Sequence, residues 1–179
     1  MTRYLICTTL MLAAACSRGS EEPSANQAGT EAPAGASLKT AGGAEVGLVT
    51  LAEGGRGVTI KVEASGLPPG DHGLHLHTVG RCDGPKFDSA GPHWNPTGKQ
   101  HGRDNPAGAH LGDLANLSVG ADGRGSATVT VGGATLKGAQ NPLIDLDGAA
   151  LVVHAKGDDY KTDPSGNSGD RIACAILPG

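Results

Sequence analysis

EVGLVTLAEGGRGVTIKVEA, residues 45–64, is the stretch from which the fold is read. From Val58 to Ala64 the side chains alternate. Val58, Ile60 and Val62 fall on one face, and Thr59, Lys61 and Glu63 on the other. A period of two marks a strand with one dry and one wet face. Glu45–Leu51 carries apolar residues at 46, 48 and 49, and Gly54-Gly55 supplies a turn between the two runs. The pair therefore reads as a β-hairpin.

Moving outward, Gly66-Leu-Pro-Pro-Gly70 ends the second strand, and further short strands are expected over 114–119, 126–131, 149–156 and 171–177. Asp122-Gly123 is a turn signal ahead of the strand at Ser126. No stretch has a helical period. Many short strands between turns point to an all-β antiparallel sandwich or flattened barrel. Of 179 residues 30 are Gly and 2% are aromatic, so the core must rest on Val, Leu, Ile and Ala. The formal charge of −4 offers no broad basic surface, which argues against a nucleic-acid partner.

The N-terminus reads as an address. MTRYLICTTLMLAAAC has one early cation, Arg3, and an apolar run from Tyr4 to Ala15 that is too short to span a bilayer. Ala13-Ala14-Ala15 directly before Cys16 resembles the bacterial lipoprotein signal, in which that cysteine is lipidated; ordinary cleavage near Ala15 is the alternative. Residues 16–42 follow as lipidated Cys16 and a Ser-, Glu-, Pro-, Ala- and Gly-rich tether. A single domain at 43–179 completes the chain. The expected location is the bacterial cell envelope, on the periplasmic side, lipid-anchored to a membrane.

Two segments, 78–112 and 157–170, are Gly-, Pro-, Asp- and Asn-rich and too long for plain connections, so both are expected to be functional loops. The first lies within His72–Asp113, which holds His72, His75, His77, His93, His101 and His110. His75 and His77 are one residue apart in an extended run, so both imidazoles project from one face. His154, in a separate strand, can complete a nitrogen-rich site suited to copper, zinc, iron or nickel. His93, His101, His110 and Asp113 can fill a tetrahedral zinc shell, leaving no open position. Cys82 and Cys174 remain beyond Cys16. In an exported chain they are either bridged or buried as free thiols.

Gly73–His77, Ala90–Pro96, His101, His110–Leu114, Leu151–His154 and Gly166–Cys174 together resemble the copper–zinc superoxide dismutases, in order and spacing, over about residues 43–178. The resemblance implies a Greek-key version of the barrel. It implies copper bound by His75, His77, His93 and His154, and zinc bound by His93, His101, His110 and Asp113, with His93 bridging the two. It implies a Cys82–Cys174 disulfide, and an Asp158 carboxylate linking copper-bound and zinc-bound histidines. His72 lies an odd number of residues from His75 and His77 and is expected on the opposite face, outside the metal chemistry.

The implied activity is conversion of superoxide to dioxygen and hydrogen peroxide. Copper would be reduced and reoxidised in turn, and His93 would leave copper and carry a proton. Arg171 would guide the anion from beside the opening, unless it pairs with neighbouring Asp170. Lys156 or Lys161 could add to that guidance. A homodimer is one possible assembly. Other classes have distinct signatures. A copper-binding or delivery module of the same fold would lack a ligand. A zinc-only sandwich would leave His75, His77 and His154 unexplained. A zinc hydrolase would need a nearby general base.

Overall fold

The computed structural model describes residues 35–179. The expected signal segment, Cys16 and most of the tether lie outside the described residues. Nine strands run in chain order: β1 (Gly35–Thr40), β2 (Glu45–Gly54), β3 (Gly57–Ser65), β4 (Gly70–His72), β5 (Leu74–His77), β6 (Leu117–Val119), β7 (Arg124–Gly132), β8 (Ala150–His154) and β9 (Arg171–Ile176). All named pairings are antiparallel, in the order β4-β6-β7-β3-β2-β1-β9-β8-β5. The two end strands, β4 and β5, are separated in sequence by Gly73 alone. One stretch of chain thus switches partner from β6 to β8 and nearly closes a flattened barrel, as expected of the all-β class. The only helical element among the described residues is a single 3-10 turn at Asp88–Ala90.

The hairpin is present with its turn one residue later than expected. Gly54 pairs with Gly57, leaving Gly55-Arg56 at the tip. The irregular 46, 48, 49 pattern has a physical origin. The β1–β2 register slips between Leu38 and Lys39, which lie opposite Gly47 and Glu45, so Val46 occupies a bulge. The slip turns both Val46 and Val49 inward and leaves Leu48 exposed.

The main correction concerns the tether. Residues 35–40 form β1, which pairs with β2 and reaches Cys174 and Ala173 of β9. The domain therefore begins before residue 43. GASLKT carries too few apolar residues to announce a strand, yet Ala36 and Leu38 are both buried in the barrel core. The 133–148 stretch, unassigned from sequence, also contributes, through buried Ala134, Leu143 and Ile144.

A second, smaller core lies on the outer wall. Leu74 and Leu76 of β5, Leu151 and Val153 of β8, and Ala173 and Ala175 of β9 point into the barrel. The alternate residues Ala150, Val152 and Cys174 face outward and are covered by Phe87 and Ala90 from the first long loop. A Cys82–Cys174 disulfide, with Cα atoms 5.7 Å apart, pins that loop to β9.

Leu38 is fully buried, so Leu38→Ala should lower unfolding free energy by about 2–5 kcal/mol in urea titrations of the metal-free protein. A loss below about 0.5 kcal/mol, the value expected of a surface position, would return residues 35–40 to the tether.

Candidate metal centre

The outward face of β5 and β8 carries the histidines. In β5 the alternation puts Leu74 and Leu76 into the core and His75 and His77 onto the outer wall, opposite Val152 and Ala150 of β8. His154 ends β8 on the same outer face. His93 arrives from the first loop through an isolated bridge to His77, and Asp113 through one to His75. Three groups of donor atoms result: His75, His77, His93 and His154; His93, His101, His110 and Asp113; and His75, His101 and Asp158, the last joined by hydrogen bonds. In each group the ligating atoms all lie within 4.8 Å of one another. His93 belongs to both of the first two.

Hydrogen bonds decide which nitrogen of each ring is left for an ion. His75 Nε2 donates to Asp158 Oδ2 (2.8 Å), His77 Nδ1 to the Gly91 carbonyl (2.8 Å) and His154 Nδ1 to the Gly169 carbonyl (3.1 Å). The opposite nitrogens, His75 Nδ1, His77 Nε2 and His154 Nε2, are buried without any partner. Buried polar atoms are seldom left unpaired, so three orphans converging with a fourth imidazole define a metal-ligand set. Burial lowers the pKa values of these rings: His77 to about 2, His154 to about 3, His93 to about 4, and His75 also downward. All four are neutral, with a lone pair to offer, at physiological pH.

The second group has the crowding of a closed shell. Nδ1 of His93, His101 and His110 lie 2.9, 3.0 and 3.0 Å from the one oxygen Asp113 Oδ1. A tetrahedral zinc shell with bonds of about 2.0–2.1 Å has edges of roughly 3.3 Å. His101 Nδ1 makes its 3.0 Å approach to Asp113 Oδ1 outside hydrogen-bond geometry, as suits two ligands of one ion. The residues therefore fit zinc here and copper at the four-histidine site. Burial would raise the Asp113 carboxyl. The His101 ring 3.0 Å away, with hydrogen bonds from His93 and the Gly102 amide, outweighs it and holds the group well below the usual carboxylate range.

Asp158 joins the groups, with Oδ2 to His75 Nε2 and Oδ1 3.0 Å from His101 Nε2. Gly166 passes so close that a Cβ there would strike the Asp158 carboxylate, which explains a glycine at that point of the loop. Arg171 lies opposite His154 across β8–β9. It is not paired with Asp170. Its guanidinium donates to the carbonyls of Phe87 (2.7 Å) and Gly91 (2.8 Å), and the Gly91 oxygen also receives His77 Nδ1. Arg171 and His77 are thus fixed by one acceptor, a backbone atom that no side-chain pattern reveals. His72 stands apart, with Nδ1 2.7 Å from the His154 carbonyl and Nε2 2.8 Å from that of Pro68. Lys156 and Lys161 are exposed.

Barrel, paired donor groups and shared histidine define a two-metal centre built on the outer wall of a β-barrel. A family model, copper/zinc superoxide dismutase, matches residues 45–177, and the chain belongs to that family. It is 45% identical over 139 residues to superoxide dismutase [Cu-Zn] 1 of Aquifex aeolicus, covering 75% of this chain and 81% of that one. It is 44% identical over 140 residues to the superoxide dismutase-like protein YojM of Bacillus subtilis, covering 76% and 71%. Among solved structures, a SOD-like protein from Bacillus subtilis superposes with a TM-score of 0.76 at 41% identity, covering 80% of this chain and 97% of that one. The Cu/Zn superoxide dismutase from Brucella abortus superposes with 0.62 at 32%, covering 82% and 100%. The family fixes the activity, oxidoreductase chemistry on superoxide, and the ions, copper and zinc.

His101 differs from its neighbours in charge. Burial lowers its pKa, but the Asp113 carboxylate 3.0 Å from Nδ1 and the Asp158 carboxylate hydrogen-bonded to Nε2 dominate and raise it to about 9. In the metal-free protein it is therefore protonated at pH 8 and loses that proton as pH rises through about 9. Zinc binding at pH 8 should release about one proton from His101, and progressively less above pH 9. Calorimetry in buffers of different protonation enthalpy measures the number. Proton release that does not decline across that range would contradict the assignment.

Proposed function

We propose that superoxide is dismuted at the four-histidine site, with His93 as proton carrier and Arg171 as anion guide. One observation carries the reading: the buried, unpaired nitrogens of His75, His77 and His154 converge on the imidazole shared with the zinc group. Copper bound there supplies the one-electron acceptor and donor, so that two superoxide anions and two protons give dioxygen and hydrogen peroxide. Nδ1 of His93 faces the zinc side, beside Asp113, so Nε2 is the nitrogen that would be offered to copper and the atom at which His93 would carry a proton. Asp158 holds His75 and, through His101, the zinc side in fixed orientation. Arg171, locked by two carbonyls, keeps a positive charge beside His77 and His154 in an otherwise acidic protein. Attraction of the anion therefore comes from local focusing rather than net charge.

The non-catalytic copper-binding module is disfavoured because no ligand is missing: His75, His77, His93 and His154 are all present and grouped. Export and lipidation at Cys16 are part of the proposal and are supported by the signal-like Arg3–Cys16 sequence. They would place the domain on a bacterial envelope membrane, facing the periplasm.

Arg171→Ala should reduce the rate constant for superoxide decay by roughly 10-fold or more at low ionic strength, and flatten its salt dependence. An unchanged rate with unchanged salt dependence would remove Arg171 from guidance. Intact mass of the mature N-terminus tests the anchor. A diacyl or triacyl addition on Cys16 is expected, and an unmodified N-terminus from ordinary cleavage would refute it.

A further inference from the structure

Asp158 sits on a loop without regular structure, so its carboxylate needs support from elsewhere. The contacts converge two residues on, at Tyr160. The Tyr160 amide donates to Asp158 Oδ1 (2.7 Å), the oxygen that faces His101. Its carbonyl accepts from the Asp104 amide (2.9 Å), inside the loop that carries the zinc-group histidines. Its phenol oxygen accepts from the Asn116 amide (2.9 Å). The guanidinium of Arg103 lies 3.6 Å from the ring centroid. Asn116 completes the arrangement, its side chain accepting from the Asp158 amide (2.8 Å) and donating to the Asp158 carbonyl (3.0 Å).

Tyr160 is also in the left-handed region, at φ 62, which a residue with a side chain adopts only where its surroundings enforce it. Gly102, whose amide donates to Asp113 Oδ2 (2.9 Å), runs directly against the Tyr160 carbonyl, and a Cβ at 102 would collide with it. The same tyrosine therefore touches the residue that fixes Asp113 and the residue that fixes His101.

We propose that Tyr160 is a positioning residue for zinc: it bolts the 157–170 loop to the 101–113 loop and so sets how fast zinc is released. The proposal rests on the reading of His93, His101, His110 and Asp113 as the zinc shell. The bolt acts on Oδ1 of Asp158 and on the zinc-bearing loop, whereas the copper side is reached through Oδ2. Its effect is therefore on zinc before copper.

The test is transfer of zinc and of copper from the loaded protein to excess chelator, well below the unfolding temperature. Tyr160→Phe removes the phenol oxygen and keeps the ring; Arg103→Gln removes the cation and keeps the ring. Each should speed zinc release by roughly 2- to 10-fold, the size of one hydrogen bond or one exposed cation–π contact, and copper release by less than about 2-fold. Tyr160→Ala should exceed both, and adding Arg103→Gln to it should change nothing further, since the cation's partner is gone. If Tyr160→Ala does not fold, the two milder variants decide. Zinc release within about 2-fold of wild type in those two variants overturns the proposal, as does equal acceleration of both ions, the mark of a merely structural residue. Wild-type protein that takes up no zinc overturns the shell and the bolt together. Zinc-replete wild type with unresponsive variants overturns the bolt alone.

Discussion

In Leu74–His77 a single strand serves two environments, and the metal centre depends on its two-residue period. Leu74 and Leu76 anchor the strand in the barrel core; His75 and His77, by the same alternation, are delivered to the outer wall. A slip of one residue would turn both imidazoles into the core and both leucines toward the ions. Burial of the leucines therefore fixes the ligands. β8 repeats the arrangement, with Leu151 and Val153 inward and His154 outward.

Ligands on an outer wall would ordinarily be wet and mobile. Here the first long loop lays Phe87 and Ala90 over Val152 and Cys174, and the disulfide closes it down. The second loop brings Asp158 beneath His75 and His101. Dryness lowers the pKa values of His77, His93 and His154 and keeps them neutral, while two carboxylates beside His101 act in the opposite direction. The loops thus supply the electrostatics, and the barrel supplies the geometry.

What could be read from the chain follows from the range of each interaction. The alternation of Val58–Ala64 and the parity of His72, His75 and His77 are local, and both are seen in the structure. β1 escaped because two buried side chains, Ala36 and Leu38, sit in a segment of tether-like composition, and its strand character comes from pairing with β2 and β9. The phase change at Val46 is a bulge set by the partner strand. The strand spacing of His75 and His77, and the gathering of His93, His101, His110 and Asp113 in one Gly-rich loop, made both groups legible as metal sites; that His93 belongs to both came only through the family resemblance. The supports of Arg171 and of the Asp158 carboxylate were not legible, because the carbonyls of Phe87 and Gly91 and the amide of Tyr160 are groups that every such residue carries and leave no sequence signal.

His93 belongs to both the four-histidine and the zinc donor groups, and the proposed function needs it to join two ions in one site. Cobalt(II) loaded into the zinc group with copper(II) in the four-histidine group measures this directly. If the His93 imidazolate bridges them, magnetic coupling should suppress the copper(II) electron paramagnetic resonance signal seen in the copper–zinc form. An undiminished copper(II) signal beside fully occupied cobalt would show two independent sites and contradict the account.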